Sequence, residues 1–130
     1  MYRIAILDDN HDFCEFMELF LNNYFEASGF TNPSLLLRNI EVESYDLVLV
    51  DFSIRPHALL GIHDGCELIG YLKKHLKQPP LLVLFTGWLA QDALREGNKI
   101  CSLADGFLAK DTDIQAILEQ IKKLLASRKS

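Results

Sequence analysis

Short apolar runs alternate with stretches of helical spacing five times along the chain, and this alternation limits the folds open to it more than any other feature. The runs are Ile4 to Leu7, a weaker one at Phe25 to Phe30, then Asp46 to Val50, Leu81 to Phe85 and Phe107 to Ala109. After the first, Phe13, Phe16, Met17, Phe20, Leu21 and Tyr24 recur on one helical face, predicting a helix over about 11–24. Asn32 and Pro33 suit a cap and a first helical position, ahead of Leu36, Leu37 and Ile40. Leu68, Ile69, Leu72 and Leu76 predict a helix over about 64–77, stopped by Pro79 and Pro80. A short helix is expected over 89–96, before the Gly97-Asn98 break. A last one follows Asp113, with Ile114, Ile117, Leu118, Ile121 and Leu125 as its stripe. Strands alternating with helices imply a parallel sheet covered on both faces, because right-handed crossovers allow little else.

At 130 residues there is room for one domain over 1–130 and one core. The net charge of −5 and the lack of any basic run leave a nucleic-acid groove without an electrostatic footprint. The start, MYRIAILDDN, is apolar for too few residues to be a signal peptide or a membrane span, so a soluble, cytoplasmic protein is expected. Cys14, Cys66 and Cys101 lie far apart without metal-ligand spacing and read as reduced packing residues, with no disulfide expected.

The polar residues fall where the strands end. Asp8 and Asp9 follow the first strand, Asp51 the third, Thr86 the fourth and Lys110 the fifth. In an open parallel sheet all carboxyl ends share one edge, where ligands bind. A single acid at a strand end is best read as an ordinary loop start. Three carboxylates, a hydroxyl and an ammonium delivered to the same edge are better read as a site. The carboxylates repel one another, and Lys110 alone does not balance them. A hard divalent cation such as Mg²⁺ (or Mn²⁺) suits Asp8, Asp9 and Asp51, whereas no Cys or His pair suits zinc. A neutralised site of this kind is well placed to accept an anionic phosphoryl group.

Taken in order, ILDDN, LVLVD, LFTG and ADGFLAK, with DGCELI at the third helix, resemble the receiver domain of two-component response regulators over nearly the whole chain. The resemblance implies an α/β flavodoxin-like fold, a doubly wound five-stranded parallel sheet of (βα)5 type with strand order 2-1-3-4-5. It implies a phosphoacceptor switch and not an independent enzyme. Asp51 would attack the phosphorus of a phosphohistidine on a sensor histidine kinase or histidine phosphotransfer protein. Asp9 and Asp51 would ligate Mg²⁺ directly, Asp8 mostly through water, and the Ser53 backbone carbonyl would complete the set. Lys110 would pair with a phosphoryl oxygen, Thr86 would swing toward another, and Phe107 matches the aromatic switch position. A downstream protein would read the face formed by the 89–96 helix, the fifth strand and the last helix. No output domain, direct nucleic-acid contact or membrane contact is expected, and a homodimer is admitted.

Departures accompany the matches. Asp111 stands where the family usually has a proline after the lysine, and could cap the last helix and draw Lys110 from the site. Trp88 is bulky beside Gly87. The segment 52–63 is longer than usual and is expected to overhang Asp51, while its His57 and His63 read as solvated. Two other classes stay open. One is a receiver-like interaction module that does not use phosphate. The other, less well supported, is a small phosphohydrolase with an aspartate nucleophile on strand 1, which would want an acid two residues after Asp8, where Asn10 stands.

Overall fold

In chain order the elements are β1 (Arg3–Leu7), α1 (His11–Leu21), β2 (Glu26–Phe30), α2 (Pro33–Ile40), β3 (Leu47–Asp51), a 3-10 turn (Ala58–Leu60), α3 (Gly65–His75), β4 (Leu81–Thr86), β5 (Gly106–Ala109) and α4 (Ile114–Arg128). They are those of a computed structural model that describes residues 1–87 and 100–128. The helix expected over 89–96 and Trp88 lie outside the described residues. The five strands form one parallel sheet in the order β2-β1-β3-β4-β5, the flavodoxin-like order. Among the described residues no helix is long and apolar enough to cross a membrane.

Successive side chains of a strand point to opposite faces, and this divides the core in two. Ile4, Ile6, Leu47, Leu49, Val83, Phe85 and Leu108 meet Met17 and Leu21 of α1 and Ile117, Leu118 and Ile121 of α4. Ala5, Leu7, Val48, Val50, Leu82 and Leu84 meet Leu36 and Ile40 of α2 and Leu68, Ile69 and Leu72 of α3. Both faces of the central strands are thus dry, which is why they read as unbroken apolar runs. The caps follow the local chemistry: Asn10, Asn32 and Asp64 each accept a hydrogen bond from a backbone N–H in the first turn of α1, α2 and α3.

Register levels the strand ends. Leu7 pairs with Val50, Asp51 with Phe85, and Thr86 with Ala109, so Asp8, Asp51, Thr86 and Lys110 arrive at the same edge.

The segment after β3 takes a different course from the one expected. Ile54 and Ile62 are buried in the core on the α2–α3 side, and His57 and Ile62 close a small antiparallel bridge around the 3-10 turn. Gly61 makes the return, with φ of 69°. Leu59 and Leu60 then line a groove with Leu37, Ile40, Tyr71 and His75. His75 ends α3, the helix that leaves the carboxyl edge at Gly65, so this hairpin lies away from Asp51 rather than over it. Burial of two isoleucines fixes that direction.

The cysteine reading is corrected as well. Cys14 is free and buried, but Cys66 and Cys101 are joined by a disulfide between the first turn of α3 and the turn before β5. Their sequence separation is 35 residues, and 5.5 Å separates their Cα atoms. Only the tertiary fold makes them neighbours.

Candidate functional site

β1 carries Asp8 and Asp9 past its last buried residue, and β3 carries Asp51 as its own last residue. One oxygen from each of the three acids lies within 4.8 Å of the others. Asp8 is 1% exposed and Asp51 6%, whereas Asp9 faces solvent. The cluster therefore opens on one side only.

Lys110 follows β5 and reaches across the edge. Its Nζ stands 2.5 Å from Asp8 Oδ2 and 3.3 Å from Asp51 Oδ2. These ion pairs hold it at the site, so Asp111 does not draw it away. At the start of α4 it is Asp113, not Asp111, that accepts a hydrogen bond, from Gln115 N. The turn is made by Thr112 N donating to Ala109 O at 3.1 Å. Beneath the ammonium lie two rings, Phe13 at 4.6 Å and Phe85 at 5.9 Å from Nζ to centroid.

The remaining contacts orient the acids. Asn10 N donates to Asp8 Oδ1 at 2.9 Å, and Ser53 N donates to Asp51 Oδ1 at 3.4 Å. Asp8 Oδ2 keeps the ionic contact with Lys110 but has no aligned hydrogen bond among the described residues. Burial, then the neighbouring Asp8 charge, pushes the Asp51 carboxyl above its ordinary range, and Lys110 and the Ser53 N–H offset this only in part. The site is short of positive charge.

That shortage tests a cation directly. Three hard oxygen donors converge around a single ammonium, and among the described residues no thiol or imidazole belongs to the cluster. The donor set fits Mg²⁺ or Mn²⁺ and does not suit zinc. Elsewhere His63 Nδ1 lies 2.8 Å from Glu67 Oε1, and among the described residues His57 and His63 belong to no metal-sized cluster.

Of the expected site residues, Asp8, Asp9, Asp51 and Lys110 meet, and Ser53 adjoins them through its N–H. The Thr86 backbone closes β4 beside Ala109. Phe107 lies on β5 in contact with the α2–α3 core and is half-buried. Three contributors were not picked out by sequence: Asn10, Phe13 and Gly65. Gly65 N donates to Phe52 O at 2.8 Å, and a Cβ on Gly65 would collide with the Asp51 carbonyl oxygen. The Asp-Gly pair before an apolar helix was the available signal for the last of these.

The model of the response regulator receiver domain family matches residues 4–122. Among solved structures, the chain is similar to a CheY-like receiver domain protein from Methanospirillum hungatei, at 23% identity over 99% of this chain and 97% of that one, with a TM-score of 0.80. A two-component response regulator from Clostridium difficile is 19% identical over 100% of both chains, with a TM-score of 0.80. The response regulator TrrA from Thermotoga maritima, solved in complex with Mg²⁺-BeF, is 24% identical over 95% of this chain and 99% of that one, with a TM-score of 0.74. These likenesses show the fold. No curated protein matches the chain.

Proposed function

The chain belongs to the response regulator receiver domain family and is a phosphoacceptor module rather than an independent enzyme, and on that premise we propose that it takes a phosphoryl group onto Asp51 and signals through altered protein binding. The observation that carries this reading is the meeting of Asp8, Asp9 and Asp51 within 4.8 Å, with Lys110 reaching Asp51 from β5.

In the proposed reaction an Asp51 carboxylate oxygen attacks the phosphorus of a phosphohistidine on a histidine kinase or phosphotransfer protein. The new O–P bond forms as the P–N bond breaks, and the leaving imidazole keeps the electron pair. Asp8, Asp9, Asp51 and the Ser53 carbonyl would hold Mg²⁺, which when bound supplies charge for the equatorial phosphoryl oxygens. Lys110 Nζ donates to one of those oxygens, and Thr86 would supply a donor for another. Asn10 N–H holds Asp8 in the rotamer that faces the site. Phe107 and the face around β5 and α4 then shift between two arrangements, and a downstream protein binds one of them.

Incubation with Mg²⁺ and acetyl phosphate tests the reading. The expected result is a mass gain of one phosphoryl group, lost in Asp51→Asn. No gain from the folded protein at millimolar Mg²⁺ would leave a phosphate-independent interaction module. Multiple-turnover hydrolysis of phosphate esters surviving Asp51→Asn would instead favour a phosphohydrolase.

A further inference from the structure

We propose that Phe13 is a positioning residue for Lys110: its ring seats the ammonium at the height of the carboxylates, ready for the phosphoryl oxygen. The inference rests on the phosphoacceptor reading above.

A lysine carries a compact ammonium on a long flexible stem, so its reach is poorly defined by the backbone alone. Lys110 is still 21% exposed at its side chain, which leaves solvent as a competing place for the charge. Two kinds of contact oppose that escape. Asp8 and Asp51 attract Nζ from the site side, at 2.5 Å and 3.3 Å. From the other side Nζ lies 4.6 Å from the Phe13 centroid, within the range at which a ring face attracts a cation.

The two restraints differ in what removes them. The contact to Asp51 is given up when its oxygen binds a cation or becomes bonded to phosphorus, and Nζ must then pass from the carboxylate to a phosphoryl oxygen. A ring quadrupole does not change with charge on Asp51. Phe13 therefore holds the ammonium through the step in which the ionic contacts are rearranged.

Phe13 is itself well fixed. Its backbone N donates to the Asn10 cap at 3.0 Å, and its ring tilts against Phe85 with centroids 5.7 Å apart. Phe85 is fully buried and pairs with Asp51 in the sheet, so it belongs to the core. Phe13 is half-buried on the first turn of α1 and can be changed with less damage.

The test compares Phe13→Leu, which keeps apolar bulk without a ring, with Phe13→Trp, which keeps a ring face. Initial rates of phosphorylation by acetyl phosphate with Mg²⁺ are measured, each variant also in a Lys110→Ala background. Phe13→Leu is expected to slow the rate by about five- to thirty-fold and Phe13→Trp by less than about two-fold. In the Lys110→Ala background Phe13→Leu should have no further effect, a coupling that general loosening of the fold would not produce. The Lys110 ε-methylene protons should show an upfield ring-current shift, reduced in Phe13→Leu to the smaller part due to the more distant Phe85 ring, and this signal needs no phosphorylation. Equal rates for wild type and Phe13→Leu, or the same slowing with and without Lys110, would overturn the inference while leaving the phosphoacceptor reading intact. A wild-type protein that shows the ring-current shift but takes no phosphoryl group would overturn that reading, and with it the role given to Phe13.

Discussion

Burial and the Asp8 charge raise the Asp51 carboxyl above its ordinary value of 3.8, so between that value and the raised one the folded chain holds a proton that the unfolded chain has lost. Stability associated with Asp51 is therefore full at low pH and declines as pH rises through that window, where the ionised acid opposes folding in the metal-free protein. Asp51→Asn removes the charge. Without divalent cations this variant is expected to melt above wild type at neutral pH, with the difference shrinking as pH falls toward the ordinary carboxylate range. Saturating Mg²⁺ should narrow or reverse the difference, and thermal melts in chelator and in Mg²⁺ check both. An equal or lower melting point in chelator would contradict the account. At this scale the acids and Lys110 were legible because polar residues end apolar strands. Phe13 was not: it reads as one more residue of the α1 stripe, and the cation above it comes from the far end of the chain.

Elements were legible where period and punctuation agreed, as at Asn32-Pro33 before α2 or at the prolines after α3. The path between β3 and α3 was not, because loop length says nothing of direction. The apolar Ile54 and Ile62 within that loop were the only hint that it docks on the core. Replacing 58–61 with a short polar turn, which leaves Ile62 in the core, should leave the acetyl phosphate reaction within about two-fold of wild type, since loops remote from the chemistry tolerate exchange. A large loss of rate would show that the hairpin serves the site after all. The junction itself is far less tolerant. Gly65→Ala drives a methyl into the Asp51 carbonyl oxygen, so backbone must move. A loss of about 3 kcal/mol or more in urea unfolding is expected, with slower phosphorylation, because β3 and α3 cannot both keep their places.

Across the whole molecule the parallel sheet and its two dry faces followed from the βα alternation, and the strand order from the family resemblance. The covalent tie between Cys66 and Cys101 did not follow from either, since spacing alone does not bring two cysteines together. The tie closes a loop that contains all of β4. Closing a loop of this length restricts the unfolded chain, and reduction is expected to lower stability by about 2–4 kcal/mol. Urea unfolding with and without reductant measures it, with Cys66→Ser plus Cys101→Ser as the control; coincident curves would contradict the prediction.

The hairpin after β3 also gives the molecule a place to be watched from. Leu59 is 94% exposed at its tip, on the α2–α3 side and apart from the acids. A cysteine-free labelling chemistry that puts a fluorophore there would report a protein approaching that flank, while the carboxyl edge kept its charges and its openness to a phosphodonor.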